Sequence, residues 1–202
     1  DQLPDHMFNR QDDSADEAFF ATPRMVNHID DATINEITKF YQETLTPEDE
    51  LLDLMSSWVS HLPVDVTYRK VTGLGMNLDE LNANALLDQV LVHNLNKTPA
   101  LPFSDASFNA VMIVVSIQYL TRPFEVFKEI QRVLKPGGRC IVAMSHRLFP
   151  TKAIYAFQSL APQDRVQLVK EYMRRGGLSE IEFIDRSPEK ADPLWIIQGI
   201  NS

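Results

Sequence analysis

The sequence has little cysteine, a shortage of basic charge and no long hydrophobic stretch. The single cysteine, Cys140, excludes an internal disulfide framework and a cysteine-based zinc cluster, and it fits a reducing compartment. Lysine and arginine number 19 against 28 aspartates and glutamates, and the net charge of −9 repels nucleic acid and anionic membranes. No apolar run approaches the roughly 20 residues that a membrane helix requires. We therefore expect a soluble protein without nucleic-acid or membrane partners.

The chain of 202 residues fits one medium-sized domain with an N-terminal appendage. Residues 1–22 are acidic and carry few aliphatic side chains, which predicts an acidic flexible arm, mobile or loosely docked. Residues 23–47 have apolar side chains at helical spacing from Ile34 to Leu45, which predicts an N-terminal helical cap outside the main sheet. The chain does not begin with Met, so a targeting segment ahead of it stays possible.

Residues 48–202 alternate between short apolar runs and helical patterns. Asn77, with Glu80 three residues later, has the pattern of a helix start directly after the second strand. The apolar run of residues 108–116 predicts a central parallel strand that is covered on both faces. The last two runs, residues 181–185 and 194–199, are joined by a link too short for a crossover and should pair as an antiparallel hairpin. The fold class predicted is a doubly wound, Rossmann-like α/β sheet of seven strands with a C-terminal antiparallel hairpin.

The most specific pattern is LPFSDASFNAVMIVVSIQYLTRPFEVFKEIQRVLKPGGRCIVAMSHRLF, residues 101–149. It resembles the LPF-D-SFD-V … RVLKPGG core of the type 11 branch of class I S-adenosylmethionine-dependent methyltransferases. Together with ELLDLMSS and KVTGLGMNLDEL, the resemblance covers about residues 50–202. It implies a methyltransferase-like domain over residues 48–202, S-adenosylmethionine as the cofactor and a small molecule as the methyl acceptor. The chain resembles in particular a branch found in photosynthetic lineages, which implies an intracellular location, in the cytoplasm or a plastid.

The resemblance also implies where the cofactor would be held. The family's first motif reads acidic-L-G-x-G-x-G, because glycine lets the backbone turn tightly against the ligand. Here Asp53 is the acidic residue, and the glycine positions hold Met55, Ser57 and Val59. The cofactor-binding set that follows is Asp53, Met55, Ser56, Ser57, Gly73, Gly75, Met76, Asn77, Asn94, Leu95, Ser116 and Ile117.

Two acidic positions of the family pattern are also changed. The family's second strand normally ends in an acid that accepts hydrogen bonds from the ribose hydroxyls, and Gly75 stands there. Losing a charged acceptor removes about 1.5 to 3 kcal/mol per hydrogen bond unless Asn77 or a water substitutes. At the adenine-contacting position Asn94 replaces the acid and keeps a side-chain oxygen as an acceptor.

Residues 55–58, MSSW, leave two interpretations open. One is a remodelled cofactor loop in an active methyltransferase. The other is a pocket filled by side chains, in a non-catalytic protein of the same fold that serves as a binding or assembly module. A nicotinamide-dependent oxidoreductase ranks third, because it also needs a glycine-rich turn and does not account for the C-terminal hairpin.

Tyr119 and His146 follow strand ends, where catalytic groups of such sheets lie, and they are the candidate catalytic residues. His146 has the pKa range of a general base, although a loop histidine is often simply solvated. In PRMVNHIDD, Arg24 and His28 with the two following aspartates either close over the site and position an acidic or hydroxylated substrate, or cap the helix that they begin. His28 with these aspartates lacks a third ligand, so no metal site is predicted.

Overall fold

The computed structural model describes residues 3–202, and a seven-stranded sheet forms its centre. The strands are β1 (Glu50–Ser56), β2 (Lys70–Gly75), β3 (Gln89–Val92), β4 (Phe108–Val114), β5 (Leu134–Met144), β6 (Ser179–Asp185) and β7 (Trp195–Ile200). The helices are α1 (Asp16–Phe19), α2 (Asp31–Thr44), α3 (Leu78–Ala83), α4 (Pro123–Val133), α5 (Tyr155–Ser159) and α6 (Pro162–Gly176). Every helix within residues 3–202 is too short or too polar to cross a bilayer.

The sheet confirms the predicted doubly wound topology. Its strands lie in the order β3-β2-β1-β4-β5-β7-β6, with β1 to β5 parallel to one another. β7 runs antiparallel to both β5 and β6, as the short link between the last two strands requires. The antiparallel strand therefore lies one place in from the edge of the sheet.

Apolar side chains on both faces bury the central strands. Because neighbouring residues of a strand point to opposite faces, Leu52 belongs to the core beneath α4 and α6, whereas Leu51 belongs to the core beneath α2. In β4, Val111 and Met112 divide in the same way, which explains its nearly continuous apolar sequence. Cys140 lies fully buried in the first of these cores.

The connections between the strands depart from a regular alternation of strands and helices. Asn77 accepts a hydrogen bond from the backbone N–H of Glu80 (3.0 Å), which confirms the predicted helix start. α3 then ends at Ala83. The link from β1 to β2, residues 57–69, contains no helix. A parallel pair of strands is usually joined by a crossover helix, so the end of β1 has an unusual environment.

The N-terminal segments lie on the α/β domain. Residues 1 and 2 of the predicted arm lie outside the described residues, and residues 3–22 pack against the segment 149–155. Arg10 forms a β-bridge with Ile154, and Asp12 N–H donates to the Thr151 carbonyl oxygen (2.9 Å). The fully buried Lys152 lies 3.2 Å from a carboxylate oxygen of Asp16. Backbone pairing, buried ion pairs and the contacts of Leu3, Met7 and Phe8 with the core together hold the acidic segment.

The predicted helical cap corresponds to α2. The helix buries Ile37, Phe40 and Tyr41 against one face of the sheet, so it forms part of a layer of the domain. The roof over the carboxyl ends of the strands comes instead from residues 16–28, before α2 begins.

Candidate functional site

A cavity of about 370 Å³ lies at the carboxyl ends of the parallel strands. Its floor includes Met55 and Ser56 at the end of β1, Gly75 at the end of β2 and Ser116 after β4. The strand order reverses between β1 and β4, and ligands of open α/β sheets bind at such switch points. The volume is within the roughly 300 to 1,000 Å³ typical of ligand pockets. Place and size therefore both fit a small-molecule site.

The backbone at this switch point has an uncommon conformation. Met55 has φ +57° and Val115 has φ +49°, in the left-handed region that favours glycine. Met55 stands at the first glycine position of the family motif, so the glycine-type backbone persists although the side chain has changed. A strained residue of this kind costs about 1 to 3 kcal/mol, and such residues concentrate at ligand sites.

Gly75 lies directly against the end of β1. A β-bulge between Leu54 and Ser56 pairs Ser56 with Gly75, and a Cβ atom on Gly75 would overlap the carbonyl oxygen of Ser56. No side chain fits at this position while β1 keeps this course. The ribose-binding acid of the family is therefore excluded by the same backbone turn that Met55 makes.

Asp53 points away from the cavity and holds the link that follows β1. Its buried carboxylate accepts hydrogen bonds from the hydroxyls of Ser56 (2.5 Å) and Ser60 (2.6 Å). Burial raises the pKa of Asp53 to about 6, and the two serine hydrogen bonds act in the opposite direction. Asn84 donates to the Ser60 hydroxyl (2.8 Å) and to the Ser57 carbonyl oxygen (3.0 Å). This cluster takes the place of a crossover helix in fixing the loop.

The two amides predicted to contact the cofactor bind other parts of the protein. Asn77 caps α3 and donates to the carbonyl oxygens of Phe20 (2.9 Å) and Ala21 (3.1 Å) in the roof. Asn94 accepts from Asn96 N–H (3.0 Å) and donates to Glu17 (3.1 Å). Both side chains therefore attach the roof to the strand ends.

Ser116 differs from these two amides in its hydrogen bonding. Its hydroxyl is buried at the end of β4, borders the cavity and has no hydrogen-bond partner in the described part of the chain. A buried hydroxyl without a partner is uncommon, because leaving it unpaired costs about 1 to 3 kcal/mol. The position of Ser116 therefore points to a polar ligand atom at this spot.

The cavity brings together most of the residues predicted from sequence. Those that line it are Met55, Ser56, Ser57, Gly75, Met76, Asn77, Asn94, Leu95, Ser116 and Tyr119. Those outside its lining are Asp53, Gly73, Ile117 and His146. Ile117 is fully buried in the core, and a Cβ atom on Gly73 would overlap Leu87.

The two candidate catalytic residues differ in position. His146 lies outside the cavity lining, with its Nε2 atom 2.9 Å from a carboxylate oxygen of Asp192. Tyr119 faces the cavity, but its hydroxyl oxygen accepts from Phe149 N–H (2.8 Å), and burial raises its pKa further above its usual value of 10. The hydroxyl therefore stays protonated near neutral pH and acts as a donor rather than a base.

His28 is the histidine on the roof of the cavity. Burial lowers its pKa below the usual 6.5, with Glu80 acting in the opposite direction, so the imidazole is neutral at pH 7. Its ring lies edge-on to Phe149, 5.5 Å between centroids. A neutral imidazole on the cavity wall is a suitable proton acceptor.

An aromatic wall was not predicted from the sequence. Phe149 stacks on Tyr119 (5.8 Å, 25°), and Phe20 meets the same tyrosine edge-on (6.4 Å). Phe20 precedes α2 and Phe149 follows β5, in loops without hydrophobic periodicity. The aromatic residue in SHRLF, just after the end of the fifth strand, was the available signal for one side of this wall.

Comparisons with known proteins agree with the fold and the sequence pattern. The model of a type 11 family described as "Methyltransferase domain" matches residues 58–142. A ubiquinone/menaquinone biosynthesis C-methyltransferase of Hahella chejuensis is 31% identical over 107 residues, which are 53% of this chain and 37% of that protein. The matched segments span between 13% and 37% of the lengths of the first curated relatives.

Several methyltransferases are among the solved structures with the same fold. One is a S-adenosylmethionine-dependent methyltransferase of Thermotoga maritima, a possible histamine N-methyltransferase, with TM-score 0.59 and 17% identity over 85% of this chain and 91% of that one. Another is phosphoethanolamine N-methyltransferase 2 of Haemonchus contortus in complex with S-adenosyl-L-methionine, with TM-score 0.59 and 13% identity over 82% and 52%. Over residues 58–142 the chain is similar to type 11 methyltransferases, and its fold is that of the class I S-adenosylmethionine-dependent methyltransferases.

Proposed function

We propose that the protein binds S-adenosylmethionine in the cavity and catalyses transfer of its methyl group to a small molecule. The observation that carries this proposal is the open cavity at the switch point. Met55 forms part of the cavity wall, and Trp58 lies outside the lining, where its indole N–H donates to the Val26 carbonyl oxygen (3.0 Å). The side chains that replaced the loop glycines therefore leave about 370 Å³ free.

The residues of the cavity fit the cofactor in part. Met55, with its glycine-type backbone, and the unpaired hydroxyl of Ser116 stand where β1 and β4 would hold the amino-acid part. Met76 and Leu95 supply apolar contacts beyond the ends of β2 and β3. The ribose site has no strand-end acid, so we expect a dissociation constant about tenfold or more weaker than an acid would give.

When bound beside Met55 and Ser116, the cofactor would supply an electrophilic methyl group to the acceptor and would leave as the thioether. The protein contributes mainly by alignment, which the rigid strand ends provide. Residues of the roof, 16–28, form one wall of the cavity. The neutral imidazole of His28 takes the proton that an O–H or N–H acceptor loses.

Isothermal titration calorimetry with S-adenosylmethionine and S-adenosylhomocysteine tests the proposal. We expect both ligands to bind the wild-type protein, with dissociation constants between micromolar and millimolar. Ser116→Phe places a ring in the cavity and should abolish binding. Ser104→Phe, at an exposed position away from the cavity, is the matched control and should bind normally. No heat with millimolar ligand and wild-type protein would refute the proposal.

A non-catalytic binding or assembly module is the second candidate. The observation in its favour is that Asn77 and Asn94 attach the roof, while Gly75 cannot carry an acid. The two candidates differ in one measurement, since only the first releases S-adenosylhomocysteine when cofactor and an acceptor are both present. We also propose an intracellular location, in the cytoplasm or a plastid, and no nucleic-acid partner, supported by the single cysteine and the net charge of −9.

A further inference from the structure

We propose that Arg24 anchors an anionic group of the methyl acceptor, so that the acceptor is a small molecule with a carboxylate or phosphate group. This inference rests on the proposed function and names the acceptor class of the same site. It depends on three features of Arg24: its place on the cavity wall, its lack of an ionic partner, and its position beside the groups that would face the acceptor.

The guanidinium group of Arg24 is held on the cavity wall by aromatic rings. Its central carbon lies 4.7 Å from the ring centre of Phe19, 5.2 Å from that of Phe149 and 5.9 Å from that of Phe20. Its hydrogen bonds go to the backbone carbonyl oxygens of Phe19 (3.1 Å) and Thr22 (3.5 Å). A guanidinium has five N–H donors, so donors remain for a ligand. The group is oriented before any ligand arrives, which lowers the entropy cost of binding.

Arg24 forms no ion pair with any residue between 3 and 202, unlike Arg147 and Asp16 on the same cavity wall. Arg147 pairs with Asp192 (2.8 Å) and Asp30 (3.5 Å). Asp16 is neutralised by Arg10 (2.6 Å) and Lys152 (3.2 Å).

Glu80 accepts from the backbone N–H of Arg24 (2.7 Å) and does not pair with its guanidinium. The guanidinium of Arg24 is thus a partly buried cation without an ionic partner among the described residues, in a protein of net charge −9. A bound anion would supply the missing charge-assisted hydrogen bonds.

Arg24 lies beside the two groups suited to the reacting end of an acceptor. Burial raises the pKa of Tyr119, and the positive charge of Arg24 acts in the opposite direction. Burial also lowers the pKa of His28, and Arg24 adds to that effect. The rings of Phe20, Tyr119 and Phe149 form the wall next to these groups and would take the apolar body of the acceptor.

Arg24 contacts elements on both sides of the switch point: its guanidinium lies against Phe149, which follows β5, and its backbone N–H donates to Glu80 of α3, which follows β2. Phe149 follows β5, on the side of the switch point opposite to Gly75 and Leu95, which end or follow β2 and β3. The contact of the guanidinium with Phe149 favours the acceptor as the source of the anion. The amino-acid carboxylate of the cofactor has the same chemistry, and the experiment distinguishes the two.

The test uses three aromatic probes, benzoate, phenyl phosphate and the neutral benzamide, in calorimetric titrations with and without saturating S-adenosylhomocysteine. We expect at least one acid to bind the wild-type protein about 10- to 100-fold more tightly than benzamide. Arg24→Gln should remove that preference and leave benzamide binding within about twofold. Arg24→Lys should retain part of the preference for acids, because lysine keeps the positive charge but lacks the planar guanidinium group. Arg122→Gln, which removes an exposed pair with Glu125, is the control and should behave as wild type.

Three results would overturn the proposal. The first is that no acid binds the wild-type protein at 10 mM, or that acids and benzamide bind equally. The second is that Arg24→Gln weakens S-adenosylhomocysteine tenfold and leaves 5′-methylthioadenosine unchanged, which would assign Arg24 to the cofactor's own carboxylate. The third is an equal loss of acids and benzamide with a lowered melting temperature, which would indicate a structural role. Failure of the proposed function has a different signature, since wild-type protein would then not bind S-adenosylhomocysteine at all.

Discussion

The two halves of the sheet differ in how they build the candidate site. Around β4 and β5, residues 101–149 keep the family pattern and contribute Ser116, Tyr119 and Phe149 to the cavity. Around β1 and β2, the glycine loop, the strand-end acid and the crossover helix are all absent, although the strands pair in parallel up to the β-bulge between Leu54 and Ser56. At Met55, the backbone keeps the left-handed turn although the glycine of the family motif is absent. The backbone course at a ligand site can thus outlast the sequence motif that normally specifies it.

The largest effect should come from restoring the family acid in the changed half. Gly75→Asp introduces a Cβ atom that overlaps the Ser56 carbonyl oxygen, so we expect a loss of more than about 4 kcal/mol in the free energy of unfolding. Cofactor affinity should not rise. Urea unfolding measures the loss, with Lys70→Asp at the exposed start of β2 as the control. A stable Gly75→Asp protein with tighter binding would mean that the end of β1 adapts freely.

The next largest loss of stability should come from removing the Asp53 carboxylate, which holds the link from β1 to β2. Asp53→Ala leaves the buried hydroxyls of Ser56 and Ser60 without their acceptor, which should lower the free energy of unfolding by about 2 to 4 kcal/mol. Asp65→Ala, an exposed position in the same link, should change it by less than about 0.5 kcal/mol. Equal effects in urea unfolding would contradict the assigned role of Asp53.

The same carboxyl group predicts a pH dependence of stability. Because the folded-state pKa of Asp53 is raised to about 6, the fold favours the protonated group, and this stabilisation is present below the usual value of 3.8 and is lost as pH rises through 6. Asp53→Asn, which imitates the protonated form, should gain stability relative to wild type by up to about 3 kcal/mol between pH 4 and pH 8. Unfolding curves across this range provide the measurement. A constant difference would contradict the raised pKa.

On the roof, His28→Gln tests the proton acceptor. We expect an approximately 100-fold lower rate of methyl transfer to an O–H or N–H acceptor with little change in cofactor affinity. The wild-type rate should fall as pH drops below the lowered pKa of His28 and should be flat above it. The matched variant is His146→Gln, outside the cavity, which should keep the wild-type rate and pH profile. A lower rate for His146→Gln together with an unchanged rate for His28→Gln would instead identify His146 as the base.

The smallest effect should come from the half that keeps the family pattern. Ser116→Ala removes one unpaired buried hydroxyl, so cofactor affinity should fall about fivefold and protein stability should stay the same or rise slightly. Ser107→Ala, whose hydroxyl bonds to the Ser104 carbonyl oxygen, is a control for the loss of a hydroxyl group. Unchanged affinity in Ser116→Ala would remove this residue from the ligand site.

The sheet was predictable because its signals are local. The apolar runs of the strands, the cap at Asn77 and the short link of the hairpin each lie within a few residues, and the structure confirms all three. The roof was not predictable in the same way. Lys152 and Asp16 are far apart in the chain, and neither suggests a buried ion pair by itself.

The candidate site was likewise predictable only where its signals are local in the sequence. The strand-end rule brought Ser116 and Tyr119 to the cavity, but the role of Tyr119 depends on a hydrogen bond from Phe149, thirty residues on. Asp53 matched the family motif in sequence, whereas its side-chain direction is set by Ser56 and Ser60. The assignment of these residues to a cofactor stays a prediction.

The central claim is that the cavity still accommodates the cofactor although the glycine motif has been lost. A crystal structure determined with saturating S-adenosylhomocysteine tests this most directly. We predict ligand density in the cavity lined by Met55, Leu95 and Ser116, with Gly75 still packed against Ser56. Density elsewhere, or a cavity closed by Met55 at saturating ligand, would contradict the claim.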